Sequence, residues 1–169
     1  MAPETFISHV RNYCAWAESD THDIDTAYQL MQSLREGTPG FKTSSEPGPE
    51  RGLPGIPVEV QWAETKRYVD FPFCAYPVVF WPYETHPEGP FTEIIYDDFA
   101  HIYAELRHGL QILESGNNAS ALRYWRDSYI FHWGHHASAA IWAIEWYREG
   151  LKKGKPAEAS DNPAVPPRN

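Results

Sequence analysis

Three histidines, His132, His135 and His136, fall in one aromatic stretch, Trp125 to Tyr147, which reads WRDSYIFHWGHHASAAIWAIEWY. On a helix they occupy positions i, i+3 and i+4. The stripe along that side is Trp125, Tyr129, His132, His136, Ala140, Ala143 and Tyr147. It is a core stripe with two imidazoles set into it. His135 projects to another side, where solvent can reach it. A second polar stripe precedes it in the chain: Asp98, His101, Glu105 and His108, at spacings of three, four and three residues. If that flank faces the later helix, two acids meet several imidazoles.

Two kinds of chemistry follow from such a meeting. Carboxylates and histidines projecting from two helices are how bundle proteins hold divalent metals. Asp98, Glu105, His132 and His136 would then be the ligands of a divalent transition metal such as zinc, with a bound water activated for hydrolysis. The other reading needs no cofactor. Asp98, His101, Glu105, His132 and His136 then form a polar centre of paired acids and imidazoles that sets how two helices register. Spacing alone leaves both open. HExxH, the EF-hand loop, the Walker loop, GxGxxG and the GxSxG elbow are all missing from the sequence.

The elements that would position these residues are helical. Pro3 suits the first turn of a helix and Glu4 its positive end. Phe6, Val10, Tyr13 and Ala17 recur at helical spacing, which predicts a helix from about Pro3 to Glu18. Ala27, Leu30, Met31 and Leu34 give a shorter second helix, closed by Gly37 and Pro39. From Gly37 to Pro57, five prolines and five glycines rule out a helix or a central strand and predict a long surface loop. Pro57 can open a short helix with Val58, Trp62, Thr65 and Val69 along one side. The stretch FPFCAYPVVFWPY, Phe71 to Tyr83, is expected to lie across the helices as an irregular aromatic lid. Ile95, Phe99, Ile102, Leu106, Leu110 and Leu113 define a third long helix, from Thr92 or Glu93 to Glu114. Gly116 and Asn117 end it, and Asn118 can cap a fourth. That fourth helix runs to about Gly150, roughly 45 Å at 1.5 Å per residue, and Gly134 marks a bend or a close crossing. The expected architecture is therefore all-α: one domain over residues 1–151, a bundle of about four principal helices. An irregular Pro/Gly-rich insertion, with its loop at 38–57, separates the second and third long helices, and residues 152–169 form a flexible tail.

The totals limit the partners. Lys and Arg number 14 against 23 Asp and Glu, a formal net charge of -9. That argues against nucleic acid or an anionic membrane and suits a basic protein partner. Cys14 and Cys74 are too few for a disulfide framework or a zinc cluster, and are expected to be buried free thiols. MAPETFISHV has no charged-then-apolar signal pattern, and the most apolar run is broken by Pro72, Pro77 and Pro82. A cytoplasmic protein is the expectation.

The segment Ile95 to Tyr147 resembles an uncharacterised family of bacterial helical proteins, the domain of unknown function 5063. That family carries a DDLxDIYxDLxxGL-like helix followed by a WRxSFxxHWGxHAxxAL-like helix. Here they read YDDFAHIYAELRHGL, Tyr96 to Leu110, and YWRDSYIFHWGHHASAAI, Tyr124 to Ile141. The opening FISHVRNYCAWAES is also similar to the family's first helix. Two features depart from the pattern. His101 stands in place of the third acid of the first motif, and Glu105 in place of the fourth. His135 stands between the motif histidines, where the family tends to a basic residue. The resemblance implies a shared fold and a polar centre at Asp98, His132 and His136. It implies no activity. On these grounds the sequence is read first as a non-catalytic protein-binding domain, an adaptor or a toxin-neutralising immunity protein. The alternative is a metal-dependent hydrolase with its site between the third and fourth long helices.

Overall fold

The computed structural model describes residues 3–37, 65–78 and 91–154. Most of the expected Gly37 to Pro57 loop, the start of the helix from Pro57, the end of the aromatic stretch and the tail lie outside the described residues. Four helical rods make up the bundle. α1 is Pro3–Ala17, α2 is Ile24–Gly37 and α3 is Ile95–Glu114. The fourth rod is α4, Asn118–Ser128, continued through a π-helical turn at Tyr129–Trp133 into α5, Gly134–Lys152. The all-α expectation holds. No helix among the described residues is long and apolar enough to cross a membrane.

The helical stripes read from the sequence are the buried faces. Phe6, Val10, Tyr13 and Ala17 of α1, Ala27, Met31 and Leu34 of α2, and Ile95, Phe99, Ile102, Leu106 and Leu110 of α3 form one core. Buried polar groups in it find partners. The Tyr13 hydroxyl, for example, donates to the Phe99 carbonyl at 2.9 Å. α2 is tied to α5 at the surface, where Tyr28 donates to Glu145 and the Arg148 guanidinium lies over the Tyr28 ring. The boundary of α4 differs by one residue from expectation. Asn117 is the cap, its side chain accepting from the Ser120 N–H at 3.2 Å. Gly116 before it takes a φ of 89°, which a side chain resists.

The sequence reading contained no strands, but two short ones are present. β1, Ala75–Val78, pairs antiparallel with β2, Phe91–Ile94, in the register Tyr76↔Glu93 and Pro77↔Thr92. Pro77 is tolerated because each strand of a two-stranded sheet has a free edge. β2 runs directly into α3, so the third helix starts at Ile95, later than Thr92 or Glu93. The aromatic stretch does cover the core, as expected of a lid: Phe71, Phe73 and Tyr76 are buried. Val69, expected on a helix face, is exposed beyond a single 3-10 turn at Lys66–Tyr68.

Two contacts fix how the pieces meet. Gly109 lets α3 approach α4. A methyl group there would sit 2.0 Å from the indole Nε1 of Trp125, which is fully buried and donates to the Leu106 carbonyl. The second contact is at His22, which is buried in the link between α1 and α2. Its backbone N–H donates to Asp70 Oδ2 and its Nδ1 pairs with Asp70 Oδ1, each at 2.8 Å. Partial burial pushes the Asp70 carboxyl up, but the two bonds from His22 outweigh it and hold the group below its ordinary value.

Two outcomes are expected. Gly109→Ala should cost about 1–3 kcal/mol through overpacking, read as a fall in the urea midpoint. Asp70→Asn should lower the thermal midpoint at neutral pH. A depressed carboxyl contributes fully above its ordinary pKa and loses that contribution as pH falls through the folded value. The gap between variant and wild type should therefore close below about pH 4. A gap that persists unchanged in acid would mean the charge on Asp70 contributes nothing.

Candidate metal centre

α3 presents Asp98, His101 and Glu105 to the rod made by α4, the π turn and α5. Asp98 and Glu105 are each about 2% exposed, a costly place for carboxylates unless every oxygen is satisfied. Each carboxylate meets one imidazole and one phenol. Asp98 Oδ1 pairs with His136 Nδ1 at 2.8 Å, and Oδ2 accepts from the Tyr76 hydroxyl at 2.6 Å. Glu105 Oε1 pairs with His132 Nδ1 at 2.8 Å, and Oε2 accepts a short bond from Tyr124. One tyrosine comes from β1 and the other from α4. Burial raises the Asp98 carboxyl despite the bonds from His136 and Tyr76. Burial, followed by the neighbouring carboxylates, also raises the phenols of Tyr76 and Tyr124, which stay protonated and donate.

His101 lies between the two acids on α3 and packs against both histidines. Its ring stacks on His136 with centroids 4.3 Å apart, and the His132 ring stands edge-on to it at 4.8 Å. Its Nε2 is 3.4 Å from Asp97 Oδ2, and its Nδ1 is buried with no hydrogen-bond partner. The hydrogen bond from His101 holds the Asp97 carboxyl below its ordinary value, against the opposite pull of burial. Each of the three imidazoles thus has one nitrogen beside its own carboxylate. The nitrogen left over is Nε2 on His132 and His136 and Nδ1 on His101. Ring nitrogens of the three residues lie within 4.8 Å of one another.

The π turn makes this possible. Gly134 donates across five residues to the Tyr129 carbonyl, the bond of a π turn. A methyl group on Gly134 would stand 2.4 Å from that oxygen and 2.9 Å from the Tyr129 ring. The extra residue in the turn shifts the helix phase, burying Trp133 while leaving His132 and His136 half-buried toward α3. The sequence suggested a bend or close crossing at Gly134, but the stripe drawn through Tyr129 had no place for the added residue.

The predicted polar centre of Asp98, His101, Glu105, His132 and His136 is brought together in full. Within it the acids are paired with imidazoles and phenols. Asp98 and Glu105 stand behind the imidazoles, and His101 stands beside them. His108 is apart, its ring against Tyr124, and His135 is exposed. Tyr76, Tyr124 and Asp97 were not singled out for the site from sequence. Asp97 was visible as the first acid of the helix start, but nothing marked the tyrosines. The thiols are elsewhere: Cys14 is buried and pushed up to about 12, and Cys74 is half-buried.

The family model for the domain of unknown function DUF5063 matches residues 71–148. This segment is similar to the DUF5063 family. Every residue of the cluster, from Tyr76 to His136, lies inside the DUF5063 match. α1 lies outside it. No curated protein and no solved structure matches the chain.

The hydrogen bonds make one prediction. Tyr76→Phe deprives a buried carboxylate of a donor and should cost about 1.5–3 kcal/mol in chemical denaturation. Tyr28→Phe removes a phenol that bonds Glu145 at the surface, and should cost less than about 0.5 kcal/mol. Equal costs would mean Asp98 does not depend on the Tyr76 hydroxyl.

Proposed function

We propose that this chain is a metal-binding domain that holds one divalent transition metal on His101, His132 and His136. The observation that carries the reading is the pairing just described: one nitrogen of each imidazole lies beside a carboxylate, and ring nitrogens of the three residues, one from each, lie within 4.8 Å of one another. Metal-bound histidines characteristically give their second nitrogen to a carboxylate, which fixes the tautomer and turns the ring. The carboxylates accept at Nδ1 of His132 and His136, so Nδ1 carries the proton and the lone pair lies on Nε2. Bonds of about 2.0–2.1 Å to a tetrahedral ion set ligand nitrogens about 3.3 Å apart, so nitrogens within 4.8 Å close by up to about 1.5 Å, and the stacked His101 and His136 rings turn out of parallel to aim at one ion.

Charge favours the same reading. Among the described residues, the partners of Asp98 and Glu105 are histidines and tyrosines, with no Lys or Arg. A divalent ion balances two buried carboxylates. Three protein ligands leave a coordination position for water or a substrate, and the chemistry such an ion supplies is acidification of that water for hydrolysis. The second reading, a protein-binding surface, draws on the acidic balance and on Phe131, 74% exposed, and Ile130, 56% exposed, beside His132.

Metal content of the purified, untagged chain tests the proposal. About one equivalent of zinc or a similar ion is expected. It should be lost in the His132→Ala, His136→Ala double variant and also in His101→Ala. Retention in His101→Ala would return Asp98 and Glu105 to the ligand set. If the wild type takes up no zinc or cobalt when supplied, while the double variant loses stability, the histidines are a structural network.

A further inference from the structure

Resting on the metal-centre reading, we infer that Tyr124, and Tyr76 in parallel, are positioning residues of the centre, each aiming one imidazole by holding the carboxylate behind it. The two oxygens of Glu105 are divided between two donors. Oε1 pairs with His132 Nδ1 at 2.8 Å, and Oε2 accepts from the Tyr124 hydroxyl. A glutamate carboxyl turns easily about its last torsion, and an imidazole about χ2, because both torsions are broad. One bond between them leaves the pair free to swing together. The second bond removes that freedom, because a phenol oxygen lies on the axis of its ring and moves only when the ring does. The Tyr124 ring is half-buried and packs edge-on against His108 at 4.8 Å.

The elements give this hold its effect. Tyr124 lies in the regular helix α4 before the π turn, His132 lies within the turn, and Glu105 lies opposite on α3. The three side chains therefore tie the ligand-bearing turn to two rods that the core fixes at this very level. Trp125 and Leu106, the neighbours of Tyr124 and Glu105, are fully buried, and the Trp125 indole donates to the Leu106 carbonyl. Tyr76 relates to Asp98 and His136 in the same way. Its hydroxyl, however, lies 2.6 Å from Asp98 and 3.1 Å from Glu93 and has one proton to give, so Tyr124 carries the test. Partners of this kind, outside the ligands themselves, change metal affinity by about 10–100-fold.

The test uses the full chain titrated with cobalt(II), whose absorption spectrum reports binding without any assumed activity. Tyr124→Phe keeps the ring and removes the donor, and should weaken cobalt binding by the folded protein about tenfold. Tyr13→Phe removes a buried phenol that donates to the Phe99 carbonyl, and should cost stability while moving cobalt affinity by less than about twofold. Action through Glu105 makes a further demand. In a Glu105→Ala background the phenol has no carboxylate to hold, so adding Tyr124→Phe should cost less than about twofold. The inference is overturned by a Tyr124→Phe protein that binds cobalt as the wild type does, by an equal loss in Tyr13→Phe, or by the same tenfold loss once Glu105 is gone. Should Tyr124→Phe fail to fold, Tyr76→Phe reads the matching bond to Asp98: a tenfold loss supports the inference, and no loss overturns it. A wild type that takes up no cobalt at all instead overturns the metal-centre reading, a separate result.

Discussion

Two carboxylates buried in the bundle set the terms for everything around them. Asp98 and Glu105 sit seven positions apart on α3, each almost fully removed from water. An ionised carboxylate in such a place is tolerated only when its lone pairs meet donors and its charge meets a counter-charge. The donors come from three directions. β1 supplies Tyr76, α4 supplies Tyr124, and the π turn and α5 supply His132 and His136. The small sheet therefore has a purpose in this packing. The Tyr76↔Glu93 register puts the Tyr76 phenol within reach of the first turn of α3. Removing any one donor strands an acceptor in a region where no solvent replaces it.

Geometry along the fourth rod follows from the same constraint. An uninterrupted α-helix advances 100° per residue, so a one-residue insertion re-aims every side chain beyond it. The π turn is such an insertion. It places Trp133 in the core, with its N–H donating to the Trp125 carbonyl at 3.2 Å, and keeps His132 and His136 directed at α3. Gly134 is the residue that permits it, since a Cβ would collide with the Tyr129 carbonyl. π turns are expensive in ordinary helices and concentrate where a side chain must be presented at a fixed angle.

Much of this was legible because helical spacing is a strong signal. The stripe from Ile95 to Leu110 gave α3 its core face, and the flank Asp98, His101, Glu105 gave the site its first half. The pair His132 and His136 gave the second half. The stripe His132, His136, Ala140 and Ala143 does face α3 and the core, but periodicity cannot register an inserted residue, so the π turn before Gly134 was not legible. Tyr76 reaches Asp98 across 22 positions and a strand pairing. No local pattern carries that information, and a strand of four residues containing Pro77 looks like loop. Gly109 was similarly silent, because its meaning lies in the Trp125 indole of another helix. The pairing of the acids with His132 and His136, with His101 beside them, was illegible for a different reason. Spacing shows which residues share a face, but not which of them stands in front.

The third imidazole separates the two accounts of the cluster. A structural network is complete with two acid–imidazole pairs and two phenols. His101 packs against both histidines and pairs with Asp97, but it bonds neither buried acid, and its Nδ1 is buried without a partner. An unsatisfied buried polar nitrogen costs about 1–3 kcal/mol, and an apolar residue in its place would avoid that cost. Packing alone does not explain a histidine there, since Leu or Met would fill the same volume against the His136 ring. The cation proposed above would account for it. The orphaned nitrogen then has a partner, the free nitrogens of His132 and His136 share it, and the two buried negative charges are balanced in one place.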